Sequence, residues 1–342
     1  MSRKEREKAK TKEKEEFSIF LPKPLNIREY ELSKTIGFGS HSVIKLGKSS
    51  QSNKFYAIKK IKKSEIIELK LVQRLWNEIK SLSLAENLYI QKYQGFALDN
   101  KYIYIITELV TGGSLYDKLR QEIKFSFPQA LNYSAQIVIM IEAIHSKNII
   151  YRDLRPEKLL FDHKGFLKLI DFGLAKVCEG RTYTVCGIPE YLAPEVLLNI
   201  GHGKEVDWWS FGCILYEFLV GLTPFYENDP ILIFKRILKG DVKFPSEFPP
   251  SAKSLIKHCL ERDISKRYGC LSRGVGDIKG HRFFVGFDWN GCSKQKGKQL
   301  YVPDLKNMDD LSLLNFINEE EEEAHSIIPE EDPFEEWIKK KN

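Results

Sequence analysis

From Tyr30 to Ser50 apolar and polar positions alternate, as YELSKTIGFGSHSVIKLGKSS, and they do so again in KFYAIKKIKK from Lys54 to Lys63. This period of two around a glycine turn predicts an antiparallel hairpin followed by a third strand. The next stretch, IIELKLVQRLWNEIKSL, sets Ile67, Leu71, Leu75, Ile79 and Leu82 at intervals of four and three. That spacing predicts one amphipathic helix. YIYIITELV (102–110) is a short apolar strand stopped by Gly112 and Gly113. Beyond it the character becomes helical: PQALNYSAQIVIMIEAIHS (128–146) and DWWSFGCILYEFLVGL (207–222) are long and mostly apolar. A strand-rich first part and a helical second part predict an α+β chain of two lobes with a cleft between them.

The ends of the chain differ from its body. The N-terminal run MSRKEREKAKTKEKEEF is charged without an apolar core, so it reads as an exposed helix or tail and not a secretory signal. Residues 319–342 carry ten acidic residues against three lysines, so the net +6 hides a basic body. Its basic residues are interleaved with acids and no nucleic-acid motif accompanies them, so a mixed solvated surface is expected and nucleic acid is not. No apolar run has the length of a membrane span. The six cysteines are scattered without a CxxC pair, which fits reduced thiols in a cytoplasmic or nuclear protein.

Candidate chemistry enters as a series of short motifs of unequal strength. GFGSHS, with Gly37, Gly39 and Ser42, is a glycine loop between strands; a plain hairpin turn has the same look. Its chemical reading is backbone N–H groups that approach phosphates closely because no side chain intervenes. Lys59 and Glu78 taken singly read as surface charges. DFG (Asp171–Gly173) follows the apolar stretch FLKLI, where an acid at a strand end can hold a metal ion. YRDLRPEK (151–158) and PEYLAPE (189–195) complete the set. Glycine loop, AIK lysine, helix glutamate, RD loop, DFG and APE each occur once and in that order, which separates them from coincidence.

In these residues the chain resembles the eukaryotic protein kinases over about residues 30–284. QIVIMIEAIHSKNIIYRDLRPEKLLFD, GRTYTVCGIPEYLAPE, VDWWSFGCILYE and DISKRYG are similar to the catalytic subunits of cAMP-dependent kinases, within the AGC group. The resemblance implies a bilobal fold: a small antiparallel β-rich N-lobe (about 30–110), a larger helical C-lobe (about 111–284) and a C-terminal tail (285–342), after a charged segment (1–29). It implies that the tail aromatics Phe334 and Trp337 dock beside the Glu78 helix. It implies ATP and Mg²⁺ as cofactors, with Lys59 on the phosphates and held by Glu78, Asp171 on Mg²⁺, and Asp153 accepting the substrate hydroxyl's proton. Gly37, Gly39, Ser42, Ile44, Ala57, Thr107, Glu108, Val110 and Leu160 would form the nucleotide site. Thr184 would be the activation-loop phosphosite, paired with Arg152. Glu157, Glu190 and Glu217 would bind basic peptides, Glu195 and Arg267 would form a buried structural pair, and a cAMP-binding regulatory subunit would be a partner.

Three departures surround the transferred phosphate. Lys158 stands where the pattern has a metal-ligating Asn, and an ammonium only donates. Arg155 replaces the family's loop lysine, and Ile188 replaces a Thr that bridges it to the catalytic acid. Ser42 at the third glycine is a milder change. Two readings stay open: a serine/threonine kinase with an atypical metal site, in which Lys158 replaces one Mg²⁺, or a nucleotide-binding pseudokinase.

Overall fold

Alternation about a glycine turn produces the sheet it predicts. The computed structural model describes residues 24–318, 332–334 and 337; the charged N-terminal run and the acidic Glu319–Glu323 lie outside them. Strands β1 (Tyr30–Gly39), β2 (Ser42–Ser49), β3 (Phe55–Lys62), β4 (Tyr93–Leu98) and β5 (Tyr102–Glu108) form one antiparallel sheet in the order β1-β2-β3-β5-β4. Pairing of Ile44 with Lys59 and of Ala57 with Thr107 fixes the register of the three strands that carry site residues. On one face Ile58, Ala97, Tyr104 and Ile106 are buried beneath Leu25, Ile27, Tyr30 and Leu32. Period-two side chains from adjacent strands thus make one apolar layer.

The single helix expected over residues 67–82 is two helices, α1 (Lys63–Glu68) and α2 (Val72–Leu84). The break lies at Lys70, whose φ of 56° is left-handed. Its N–H donates to the Ile67 carbonyl at 3.0 Å, and that of Leu71 donates to the Ile66 carbonyl at 2.8 Å. This pair of bonds is the Schellman stop, made here on a lysine and not the usual glycine. The apolar period runs straight through it, so periodicity alone conceals the break.

The chain divides into two compact units: Met1–Ser83, Lys92–Leu109 and Leu314–Asn342 in the first, Leu84–Gln91 and Val110–Leu313 in the second. In the first, the C-terminal aromatics are packed on α2 and the sheet, as the resemblance implies. Phe334 and Trp337 are buried, and the Trp337 ring lies 5.7 Å from Trp76 and 6.1 Å from Phe96. Beside them the buried Lys63 ammonium meets Asp332 at 2.5 Å.

The second unit is built on α3 (Leu115–Glu122), α4 (Phe127–Ser146), α5 (Pro194–Leu197), α6 (Glu205–Val220), α7 (Pro230–Lys239) and α8 (Pro250–Cys259). In α4 the Ser126 N–H donates to Gln129 at 2.9 Å and Pro128 sits in the first turn, a strong start signal. Ile137 to Ile141 are all buried, so this helix is core on every side. Helix α6 packs on α4 and α8 and ends at Gly221, whose φ of 89° suits glycine alone. Two small antiparallel pairs, β6 (Ile149–Ile150) with β9 (Lys176–Val177) and β7 (Leu159–Phe161) with β8 (Leu167–Leu169), hold the loops that carry the chemistry. Glu195 and Arg267 form a buried two-pronged pair at 2.6 and 2.9 Å.

Candidate active site

The first unit carries the glycine loop and the lysine. At Gly39 a Cβ would stand 2.4 Å from the Ser42 hydroxyl, so the close approach of Ser42 leaves room for glycine only. That hydroxyl oxygen is buried and has no hydrogen-bond partner among the described residues. Lys59, on β3, meets Glu78, on α2, at 2.6 Å. Glu78 is 5% exposed, so neither residue is the surface charge that its isolated reading suggests. Thr107, also buried, donates from its hydroxyl to the Ala57 carbonyl at 3.2 Å. Glu108 is held from both ends: its N–H donates to the Lys92 carbonyl at 2.9 Å, and its carboxylate accepts from the Lys92 N–H at 2.8 Å.

The second unit carries the RD-loop and DFG acids. Val110 is buried, and Leu160 bridges Ser114 beside the double glycine. The Gly112 N–H donates to the Phe161 carbonyl at 2.9 Å, an approach that a Cβ at Gly112 would block. The loop holding Asp153 hangs from Asp207, a fully buried acid near the start of α6. Asp207 accepts from the backbone N–H groups of Tyr151 (3.0 Å) and Arg152 (2.9 Å) and from His145 Nε2 (2.8 Å). Tyr151 then donates its hydroxyl to the Ile170 and Asp171 carbonyls at 2.5 and 3.0 Å. The RD loop and the DFG acid are thereby tied together. Arg152 and Asp171 both have left-handed backbone, with φ of 67° and 55°. Non-glycine residues hold that conformation only where surrounding bonds impose it.

Four charged side chains converge here. Arg155 Nε donates to Asp153 Oδ1 at 3.0 Å. Lys158 Nζ lies 3.5 Å from Asp153 Oδ2 and makes a closer contact with Asp171. Burial pushes the Asp153 carboxyl above its ordinary range, while Lys158 and Arg155 pull it back. The Gly173 N–H donates to Asp171 Oδ1 at 3.2 Å. Two of the three departures in the sequence thus land on Asp153, one on each oxygen. The third, Ile188, is 41% exposed at the entry to the Pro189–Tyr191 turn.

The three acids that the resemblance assigns to basic peptides are less alike than their sequence reading suggests. Glu157 is partly exposed, with one oxygen 3.2 Å from Arg155 Nη1. Glu217 is 1% exposed, accepts the Tyr191 hydroxyl at 2.6 Å and pairs with Arg120. Burial lifts its carboxyl to about 7. Glu190 is also raised, first by burial and then by Glu157. Thr184 is exposed. Arg152 donates from Nε to the Leu174 carbonyl, whereas its Nη1 is buried without a partner among the described residues. Asp207, Tyr151 and Arg120 are site residues that the sequence reading missed. Only Asp207 had a local signal, an acid at the head of a mostly apolar helix.

A lysine–glutamate pair beside a glycine loop, with an RD loop and a DFG acid tied together, is the constellation of a phosphoryl-transfer fold. A family model of the protein kinase domain matches residues 30–284, and the chain belongs to that family. It is 40% identical over 309 residues to the cAMP-dependent protein kinase catalytic subunit of Dictyostelium discoideum, covering 89% of this chain and 48% of that one. It is 36% identical over 315 residues to cAMP-dependent protein kinase type 3 of Saccharomyces cerevisiae, covering 92% and 79%. It is also 36% identical over 311 residues to the human cAMP-dependent protein kinase catalytic subunit PRKX, covering 91% and 87%. The chain therefore spans about half of the Dictyostelium relative and over three quarters of the other two. By fold and sequence it is a member of the protein kinase family, similar to the catalytic subunits of cAMP-dependent protein kinases. Among the described residues, no helix is long and apolar enough to cross a membrane.

Proposed function

We propose that this chain transfers the γ-phosphoryl group of ATP to serine or threonine in basic peptides, with residues 30–284 as the catalytic domain and 285–342 as its tail. The observation that carries this reading is the Lys59–Glu78 pair, formed at 2.6 Å and largely shielded from water. A lysine held this way is positioned for phosphate oxygens. The orphaned Ser42 hydroxyl fits a phosphate acceptor in the same loop. Asp153 orients the substrate hydroxyl and takes its proton. Its raised affinity for a proton supports that role.

The donor set fits one Mg²⁺ and not two. Asp171 is the carboxylate that would hold the ion, which when bound would supply positive charge to offset that of the phosphates. An ammonium only donates, and that of Lys158 already contacts both Asp153 and Asp171. In this reading its ammonium serves as a fixed cation in place of the second ion. The same contacts favour one competing reading, a nucleotide-binding pseudokinase whose two acids are neutralised internally.

Phosphorylation of Thr184 is supported by the unpartnered Arg152 Nη1, a donor suited to a phosphate. The relatives' description as cAMP-dependent supports a cAMP-binding regulatory subunit as partner, and Tyr183, 61% exposed, would take part in docking it. Scattered reduced thiols support a cytoplasmic or nuclear setting.

The test is radiolabelled ATP with a basic peptide library, on wild type, Asp153→Ala and the double variant Lys158→Asn/Ile188→Thr. Transfer by wild type that disappears in Asp153→Ala supports the kinase. ATP-induced thermal stabilisation with transfer only in the double variant supports the pseudokinase. Absence of nucleotide binding refutes both.

A further inference from the structure

The loop that carries the catalytic acid is closed on itself by one side chain. Arg155 grips Asp153 Oδ1 through Nε at 3.0 Å and places Nη1 3.2 Å from Glu157 Oε1. A planar guanidinium can serve two carboxylates in this way, whereas a lysine is a single point charge. The other Glu157 oxygen is buried with no hydrogen-bond partner among the described residues. Glu157 also raises the proton affinity of both Glu190 and Glu217, so the three acids form one electrostatic group. Arg120 pairs with Glu217 in that group, and Arg155 with Glu157. A substrate cation arriving at Glu157 therefore meets an acid that is already paired, and must compete for it.

We infer that Arg155 acts as an internal surrogate for the substrate's basic residue: it occupies Glu157 in the free protein and is displaced from it by the peptide. The inference rests on the basic-peptide reading above. When Glu157 changes partners, Arg155 keeps its contact with Asp153 and loses its outer tether. Peptide recognition is thereby coupled to the freedom of a cation that touches the catalytic acid.

Binding alone tests this, without phosphoryl transfer. Two fluorescent peptides carry alanine at the acceptor position; one has arginines upstream and the other has alanines there. Their affinities are measured by anisotropy on the full chain as wild type, Arg155→Ala, Arg155→Lys, Glu157→Gln and Arg155→Ala/Glu157→Gln. Removing a competing, partly shielded ion pair predicts about 2- to 5-fold tighter binding of the arginine peptide to Arg155→Ala. Arg155→Lys should show a smaller gain, which provides a second variant if the alanine change impairs folding. The gain should be larger for the arginine peptide than for the alanine peptide, and that difference should vanish in the double variant. Equal or weaker binding to both Arg155 variants overturns the inference, as does a gain that survives Glu157→Gln. If wild type and every variant bind the two peptides alike, the basic-substrate reading fails and takes the inference with it.

Discussion

Asp207→Ala removes the support of the catalytic loop, and its consequences follow from three bonds. The carboxylate is fully buried and accepts from Tyr151 N–H, Arg152 N–H and His145 Nε2 at 2.8–3.0 Å. Truncation leaves two backbone donors without an acceptor, at about 1–3 kcal/mol each. Relaxation of the left-handed Arg152, whose φ is 67°, returns about 1–2 kcal/mol. Taken at mid-range the net loss is about 2.5 kcal/mol, measurable by urea unfolding followed through tryptophan fluorescence. Because Asp153 follows Arg152 directly, the same relaxation displaces that acid, and the proposed transfer should fall by about 100-fold or more. Asp207→Asn keeps the shape and one acceptor oxygen, but turns an amide N–H₂ toward a backbone donor, so it should fall between wild type and alanine on both measures. A stability change under about 0.5 kcal/mol for Asp207→Ala, with transfer intact, would refute the claim that this acid suspends the loop.

Other outcomes follow from single contacts. Lys63→Met strands the Asp332 carboxylate, which meets the buried ammonium at 2.5 Å, so the tail should release Phe334 and Trp337. Faster proteolytic clipping after Asp332 and a loss of about 2–4 kcal/mol should accompany release, and unchanged protection would count against the pair as the anchor. Glu217 has its carboxyl raised to about 7 from an ordinary 4.5, so the folded chain holds an extra proton between those values. Its stabilising effect is complete below about 4.5 and is lost as pH rises through 7, with a slope of up to about 1.4 kcal/mol per pH unit that Glu217→Gln should flatten. His202 runs the other way: burial and then Arg152 lower it to about 4 from 6.5, so stability is lost as pH falls through that window. His202→Phe should remove this acid limb of the stability–pH curve, and an unaltered limb would place the cause elsewhere.

What the sequence made legible was local, and what it concealed was contact across distance. The hairpin was readable because alternation and a glycine turn are written within a few residues of each other, and the order of the motifs marked Lys59, Glu78, Asp153 and Asp171. The break at Lys70 was hidden because its stop is made by backbone bonds from a residue with no special side chain, while Ile67, Leu71 and Leu75 continue the helical period. The partners of the site acids were hidden for another reason. Arg120 and Glu217 lie 97 positions apart, and Lys63 and Asp332 lie 269 apart. No periodicity spans such distances. Lys158 shows what the missing partners change. In the sequence it is a ligand lost from a metal site, and loss suggests decay. In the fold its ammonium and the Arg155 guanidinium take one oxygen each of Asp153, and the ammonium also reaches Asp171. Neutralising decay would more simply have removed an acid, yet both acids are present and each is matched by a cation. The substitutions therefore read as a re-partitioning of charge among residues that still hold the acids in place. On that argument Lys158→Met is a sharper probe than loss of either acid. It should raise the Asp153 pKa by removing a nearby cation, and so shift the acid limb of the transfer–pH profile upward.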